Sequence, residues 1–231
     1  MSEIEWKIFD GAPDLIDAVA ADVANTIGQA IEQRGSALVA FPGGTTPGPM
    51  FKRLATADVD WPRVSILPTD ERVVDDDSPY NNLAMIRGHF AQTGADFVPL
   101  VTAASEYRAA GQAADDRLAG VHWPLDLVWA GMGQDGHVCS VFPGPDTDTA
   151  IATPARALGV MPDPLPAAAP VARVTLSASA MQAARVFMIV ITGTPKRTAL
   201  ERAVAEGASS ALPVGRVIAG CSAPAQVYWR P

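Results

Sequence analysis

One histidine stands apart by its neighbours. His137 lies in residues 131–144, GMGQDGHVCSVFPG, where Asp135 and a run of glycines follow the apolar segment 125–130, LDLVWA. An imidazole side chain titrates near neutrality, so it can take a proton from water and return it to a leaving oxygen. A strand that stops at glycines is also where an α/β fold keeps its chemistry, because glycine lets the backbone approach a ligand closely. Cys139 and Ser140 are nucleophile types, but no Gly-x-Ser-x-Gly elbow surrounds them, which points to packing or turn roles. His89, in a helical pattern, and His122, beside Trp123-Pro124, have structural or exposed settings.

Three other stretches carry polar chemistry. Pro42-Gly43-Gly44-Thr45-Thr46-Pro47 joins an apolar run to a helical one, so its free backbone N–H groups and the positive helix end can face an anion such as phosphate. It lacks the Lys of a Walker loop and the spacing of a dinucleotide fingerprint, so no nucleotide is implied. Asp70-Glu71-Arg72 puts a guanidinium beside two carboxylates at the end of an apolar run; arginine's planar fork suits carboxylates and phosphates. Arg173 and Lys196 are further cations at strand and helix starts, whose interest depends on convergence with the Gly43 loop. The acidic run 75–77 is most simply a solvated loop rather than a metal site.

The rest of the chain supplies the elements that must position these groups. Short apolar runs at 6–9, 37–41, 64–67, 125–130, 173–176, 186–191 and 226–229 suit strands. Helical spacing appears at 15–31, ended by Gly35, and again at 50–54, 83–90, 106–118, 179–185 and 198–206. Thr46 is expected to cap the second helix, with Pro47 at its first position. The proline-rich stretch 154–170 reads as a surface loop. Strands alternating with helices imply an α/β fold, a mostly parallel sheet with helices on both faces. No composition shift divides the chain, so residues 1–231 are expected to form a single domain.

Composition limits the partners. Of 231 residues, 17 are Lys or Arg and 25 are Asp or Glu, a formal charge of −8, which argues against a nucleic-acid or anionic-membrane surface. Two cysteines make neither a disulfide framework nor a metal spacing, and the N-terminus lacks the features of a signal peptide. With no apolar run of roughly 18 residues, the expectation is a cytoplasmic protein that spans no membrane.

In order, residues 41–47, Asp70-Glu71-Arg72 with Asn81-Asn82, Gly131-x-Gly133-x-Asp135-Gly136-His137-x-x-Ser140-x-Phe142-Pro143-Gly144, and Arg173-Val174-Thr175-Leu176 resemble the motifs of 6-phosphogluconolactonases, over about residues 6–229. The segment from Asp135 to Gly144 is the specific one; the Gly43 loop is shared with the related glucosamine-6-phosphate deaminases. The resemblance implies a modified Rossmann-like fold and hydrolysis of 6-phospho-D-glucono-1,5-lactone, the second step of the oxidative pentose phosphate pathway. It implies no metal or organic cofactor and a small-molecule sugar-phosphate lactone as partner; a monomer or weak homodimer is expected.

Carried over by position, the phosphate falls to Gly44, Thr45, Thr46, Arg173 and Lys196, and the general base is His137. The wider binding set adds Gly43, Asp70, Asn82 and Gly133. Asp135 either orients the histidine or organises the loop, and either Arg72 or loop N–H groups stabilise the oxyanion. A deaminase would carry Asn-Glu-Pro where this chain has Val141-Phe142-Pro143, and tyrosine at Arg72; both differences favour lactone hydrolysis over deamination. A non-catalytic sugar-phosphate sensor is the other alternative. Cys139, Gln182 and Asn81 stand where alanine, asparagine and serine are usual, without removing a proposed chemical group.

Overall fold

The computed structural model describes residues 4–167 and 169–231. In chain order its elements are β1 (Ile4–Ile8), α1 (Ala12–Arg34), β2 (Ala37–Phe41), α2 (Gly48–Leu54), β3 (Val64–Pro68), β4 (Asp70–Arg72) and α3 (Asn82–Phe90). Then come β5 (Asp96–Phe97), α4 (Tyr107–Ala119), β6 (Leu127–Ala130), α5 (Thr147–Ala152), β7 (Ala157–Val160) and β8 (Arg173–Leu176). The chain closes with α6 (Ala178–Gln182), β9 (Val186–Thr192), α7 (Thr194–Glu206), α8 (Pro213–Ala219) and β10 (Ala225–Arg230).

Seven strands form a parallel sheet in the order β1-β10-β9-β6-β2-β3-β5. At its centre β6 and β2 are apolar throughout because helices cover both faces. In β2, Ala37, Val39 and Phe41 enter one core with α1, α2 and α3, while Leu38 and Ala40 enter the other with α4, α6, α7 and α8. Leu127 and Trp129 of β6 follow the first core, Val128 and Ala130 the second. On α1 the buried stripe Leu15, Val19, Val23, Ile27 and Ala30 recurs every three or four residues, the spacing that keeps side chains on one helical face. Each of the four larger side chains, Leu15, Val19, Val23 and Ile27, contributes roughly 1.5–3 kcal/mol by its burial.

The order of strands fixes where a site can sit. From β2 the chain runs outward to β3 and β5, then returns on the other side of β2 as β6. A crevice opens beyond the carboxyl ends of strands at such a reversal, since successive connections leave in opposite directions.

The structure departs from the expectations in five places. Asp70–Arg72 is not a polar loop but a strand, β4, paired antiparallel with β8, which in turn pairs with β7. The Arg173 strand therefore belongs to this second sheet and not to the parallel one. The proline-rich stretch is not all loop, since β7 lies within it. The short helices α5 and α8 lie outside the runs read as helical. Finally, Thr46 does not cap α2: Pro47 occupies the cap position, in the right-handed helical region, with no side-chain cap hydrogen bond. Thr45 and Thr46 stay exposed instead.

Candidate active site

A cleft of about 270 Å³ opens at the β2/β6 reversal, lined from five directions. The loop after β2 supplies Gly43, Gly44, Thr45 and Thr46; the loop after β6 supplies His137. The second sheet adds Asp70, Arg72 and Arg173, α3 adds Asn82, and the first turn of α7 adds Lys196. Thus residues separated by about 150 positions converge because three strand ends and the small sheet meet there.

His137 is presented by a tight loop. Gly133 N–H donates to the His137 carbonyl at 3.0 Å and Cys139 N–H to the Gly131 carbonyl at 3.0 Å. A side chain at Gly133 would overlap the His137 ring and the Asp135 carboxylate, so glycine is required there by close approach. Gly133 itself does not line the cleft, and its service is to make room for the imidazole. Asp135 accepts from His137 Nδ1 at 2.6 Å, and the ring packs against Phe142 with centroids 4.3 Å apart. With Nδ1–H held by the carboxylate, Nε2 is the free, basic nitrogen. The hydrogen bond to His137 holds the Asp135 carboxyl below its usual range, with partial burial pulling the other way. Asp135 also stands outside the cleft lining, behind the ring.

This arrangement makes a testable demand. In Asp135→Asn an amide NH₂ facing Nδ1 favours the tautomer with its proton on Nε2, the wrong one for a base. The expected result is a fall in kcat of more than about 10-fold with KM little changed, part of the roughly 10²- to 10⁴-fold that general acid–base assistance contributes. Parental kcat in steady-state lactone assays would mean that Asp135 only shapes the turn.

The opposite wall is cationic. Arg72, Arg173 and Lys196 face the cleft against one lining carboxylate, Asp70, so the local charge is positive in a protein of formal charge −8. Among the described residues none of the three cations is in a salt bridge. Arg173 is 4% exposed and donates to the carbonyls of Ala169 at 2.8 Å and Val171 at 3.1 Å. Arg72 stands directly opposite it in the β4/β8 register. Like charges placed across a strand pair repel, and an anion between them turns that cost into attraction. Burial lowers the pKa of Arg173, with Asp70 pulling it back, and burial likewise holds the Lys196 ammonium below its usual value. Gly44 has φ +88, which turns the loop in a conformation that side chains resist, and a Cβ at Gly43 would overlap the Asn82 amide.

Between the walls, Asp70 accepts from Ser140 Oγ at 2.5 Å and from Thr69 Oγ1 at 3.2 Å, tying the histidine loop to β4. Cys139 is buried, with Sγ 3.6 Å from the Met181 sulfur; burial pushes its thiol up, away from the thiolate needed for attack. Both neighbours of the histidine therefore pack and tether, as their sequence setting suggested. His89 stacks edge-on against Phe51 and His122 lies exposed, and neither lines the cleft. Among the described residues no group of three or more His, Cys, Asp or Glu side chains could hold a metal ion.

Two contributors escape the sequence argument. Phe142 shows only as part of a motif, although its ring fixes the face of the base. Glu71 sits behind β4, 1% exposed, where burial pushes its carboxyl up to about 7 while the N–H groups of Asn82, Leu83 and Arg72 pull it down. The signal that finds Glu71 is strand alternation, available only once Asp70–Arg72 is known to be a strand.

The chain is similar to known proteins over nearly its whole length. The family model described as glucosamine-6-phosphate isomerases/6-phosphogluconolactonase matches residues 10–229. A 6-phosphogluconolactonase from Mesorhizobium japonicum is 35% identical over 229 residues, covering 98% of this chain and 95% of its own length. One from Rhizobium meliloti is 34% identical, with 97% of each chain covered. The crystal structure of a 6-phosphogluconolactonase from Shewanella baltica superposes with a TM-score of 0.91 at 31% identity, covering 99% of this chain and 98% of that one.

Proposed function

Because the chain belongs to the glucosamine-6-phosphate isomerases/6-phosphogluconolactonase family, we propose that its cleft hydrolyses 6-phospho-D-glucono-1,5-lactone to 6-phospho-D-gluconate, with His137 as the base. The observation that carries the reading is one cleft holding an imidazole with its Nδ1 occupied by Asp135 and, opposite, cations that have no carboxylate partner among the described residues.

The substrate phosphate is held by the N–H groups and hydroxyls of Gly43, Gly44, Thr45 and Thr46 together with Arg173 and Lys196. Fixing this remote group orients the ester, and such orientation lowers a barrier by several kcal/mol. His137 Nε2 takes a proton from water as its oxygen attacks C1. The tetrahedral oxyanion faces Arg72, whose charge is worth most in a site that excludes water. As the C1–O5 bond breaks, the imidazolium returns its proton to O5, and the carboxylic acid product releases its proton to solvent. Asp70 and Asn82 offer hydrogen bonds to the sugar hydroxyls, while Gly133 acts by giving the imidazole room.

Deamination of glucosamine 6-phosphate is the second reading on this fold. The aromatic ring of Phe142 covers His137 where a deaminase carries its glutamate, and Asp70 is the only carboxylate among the described cleft-lining residues. Both favour the lactone. No helix among the described residues is long and apolar enough to cross a membrane. The reading extends to a monomer or weak homodimer in the cytoplasm that does not bind nucleic acid, in keeping with a formal charge of −8.

The deciding experiment compares freshly generated 6-phosphogluconolactone with unphosphorylated gluconolactone, spontaneous hydrolysis subtracted. A preference in kcat/KM of about 10²-fold or more is expected for the phosphorylated ester. Equal values would sink the phosphate anchor. Ammonia release from glucosamine 6-phosphate at a rate matching lactone turnover would replace the lactonase reading with the deaminase one.

A further inference from the structure

The wall carrying Arg72 and Asn82 depends on a carboxylate that no substrate can reach. Alternation along β4 sends Asp70 and Arg72 into the cleft and Glu71 the opposite way, into the protein at 1% exposure. There Glu71 Oε1 accepts the backbone N–H of Asn82 at 2.7 Å and of Arg72 at 2.9 Å, and Oε2 accepts the N–H of Leu83 at 2.8 Å. Asn82 and Leu83 open α3, where backbone donors have no partner within the helix and a negative charge is favoured. The next donor, Ala84 N–H, goes to the Asn81 side chain at 2.7 Å.

The same residues are joined again on the cleft side. Asn82 Nδ2 donates to the Asp70 carbonyl at 2.7 Å, and Asn82 Oδ1 accepts from Arg72 Nη1. Arg72 Nη1 also donates to the Tyr80 carbonyl at 2.8 Å, while its buried Nε has no partner among the described residues. The aim of this guanidinium thus follows from the relative placement of β4 and the first turn of α3. One carboxylate oxygen of Glu71 spans that joint.

We propose that Glu71 is the positioning residue for the Arg72–Asn82 wall: by tying β4 to the start of α3 it aims both side chains at the substrate without touching it. The inference rests on the lactonase reading for what that wall does, and its geometry stands without it. Removing the clamp lets two elements shift, and misplacement on the order of 1 Å is enough to cost about 10²-fold in rate.

A double-mutant cycle separates positioning from general support of the fold, because residues acting through one another are non-additive and independent ones add. Glu71→Gln keeps the size but presents an NH₂ toward N–H groups; Glu71→Asp keeps the charge and shortens the reach. Each is combined with Arg72→Ala and, as an independent control, with Lys196→Ala. Glu71→Gln is expected to lower kcat/KM about 10- to 100-fold alone and beside Lys196→Ala, and by a clearly smaller factor beside Arg72→Ala, where only Asn82 is left for it to aim. The Kd of 6-phosphogluconate, measured by calorimetry, reads the same cycle without turnover.

An equal loss in the Arg72→Ala background, or no loss in the parent, overturns the proposal. So does failure of both Glu71 variants to keep the parental near-UV circular dichroism, since Glu71 would then hold the whole fold and not one wall. A parent inactive on the lactone sinks the lactonase reading, and the calorimetric cycle still decides the role of Glu71.

Discussion

His137→Ala is expected to lower kcat for the phosphorylated lactone by about 10²- to 10⁴-fold, with KM changed far less. The ring reaches the cleft from a loop whose backbone bonds, between Gly133 and His137 and between Gly131 and Cys139, do not involve the imidazole, so the loop survives its removal. The anchoring cations and the Gly43 loop lie on other elements, and ground-state binding persists with them. What disappears is the transfer of a proton from water and back to O5, a contribution made in the transition state and visible in kcat. His137→Gln provides a check: it fills part of the space with a polar group that cannot act as a base at neutral pH, and it should be as inactive as alanine. Survival of the parental rate in either variant, after subtraction of spontaneous hydrolysis, would remove His137 from the chemistry.

The sequence makes some of this arrangement legible for reasons that can be named. Strand β2, ALVAF, and β9, VFMIVIT, show as strands because both their faces are buried and every fully buried position in them is apolar. His137 shows because glycines follow a buried strand there. The small antiparallel sheet does not show, since β4 has only three residues, DER, and exists through pairing with β8 about a hundred positions later. That register sets Arg72 opposite Arg173, a non-local fact that no local pattern contains. Glu71 is hidden for the same reason: its direction follows from strand alternation, and the strand follows from the pairing. The Thr46 expectation failed on a local competition, where Pro47 entered the helical region first and left the threonine hydroxyl outside the helix. At both places the departure from the local rule falls on the cleft, as expected where a chain trades local regularity for a site.

Arg173→Ala is expected to have the second largest effect, a loss of roughly 10- to 150-fold in kcat/KM for the phosphorylated lactone, expressed mainly in KM. The size follows from the loss of about 1.5–3 kcal/mol in total, the worth of one charge-assisted hydrogen bond to phosphate. Burial at 4% exposure puts Arg173 in surroundings where its charge is little screened, and it faces Arg72 without a carboxylate partner of its own among the described residues. Its bonds to the Ala169 and Val171 carbonyls hold the guanidinium in place before any ligand arrives, so little side-chain freedom remains to be lost on binding. Unphosphorylated gluconolactone is the discriminating substrate. If Arg173 holds the phosphate, the variant and the parent hydrolyse it at similar rates, and the preference between the two lactones shrinks by the full loss. Arg173→Lys separates charge from geometry, for it keeps the cation but loses the planar fork and should recover only part of the preference. An equal loss on both lactones would move Arg173 from the phosphate to the reacting ester, next to Arg72, and the anchor would then rest on Lys196 and the Gly43 loop alone.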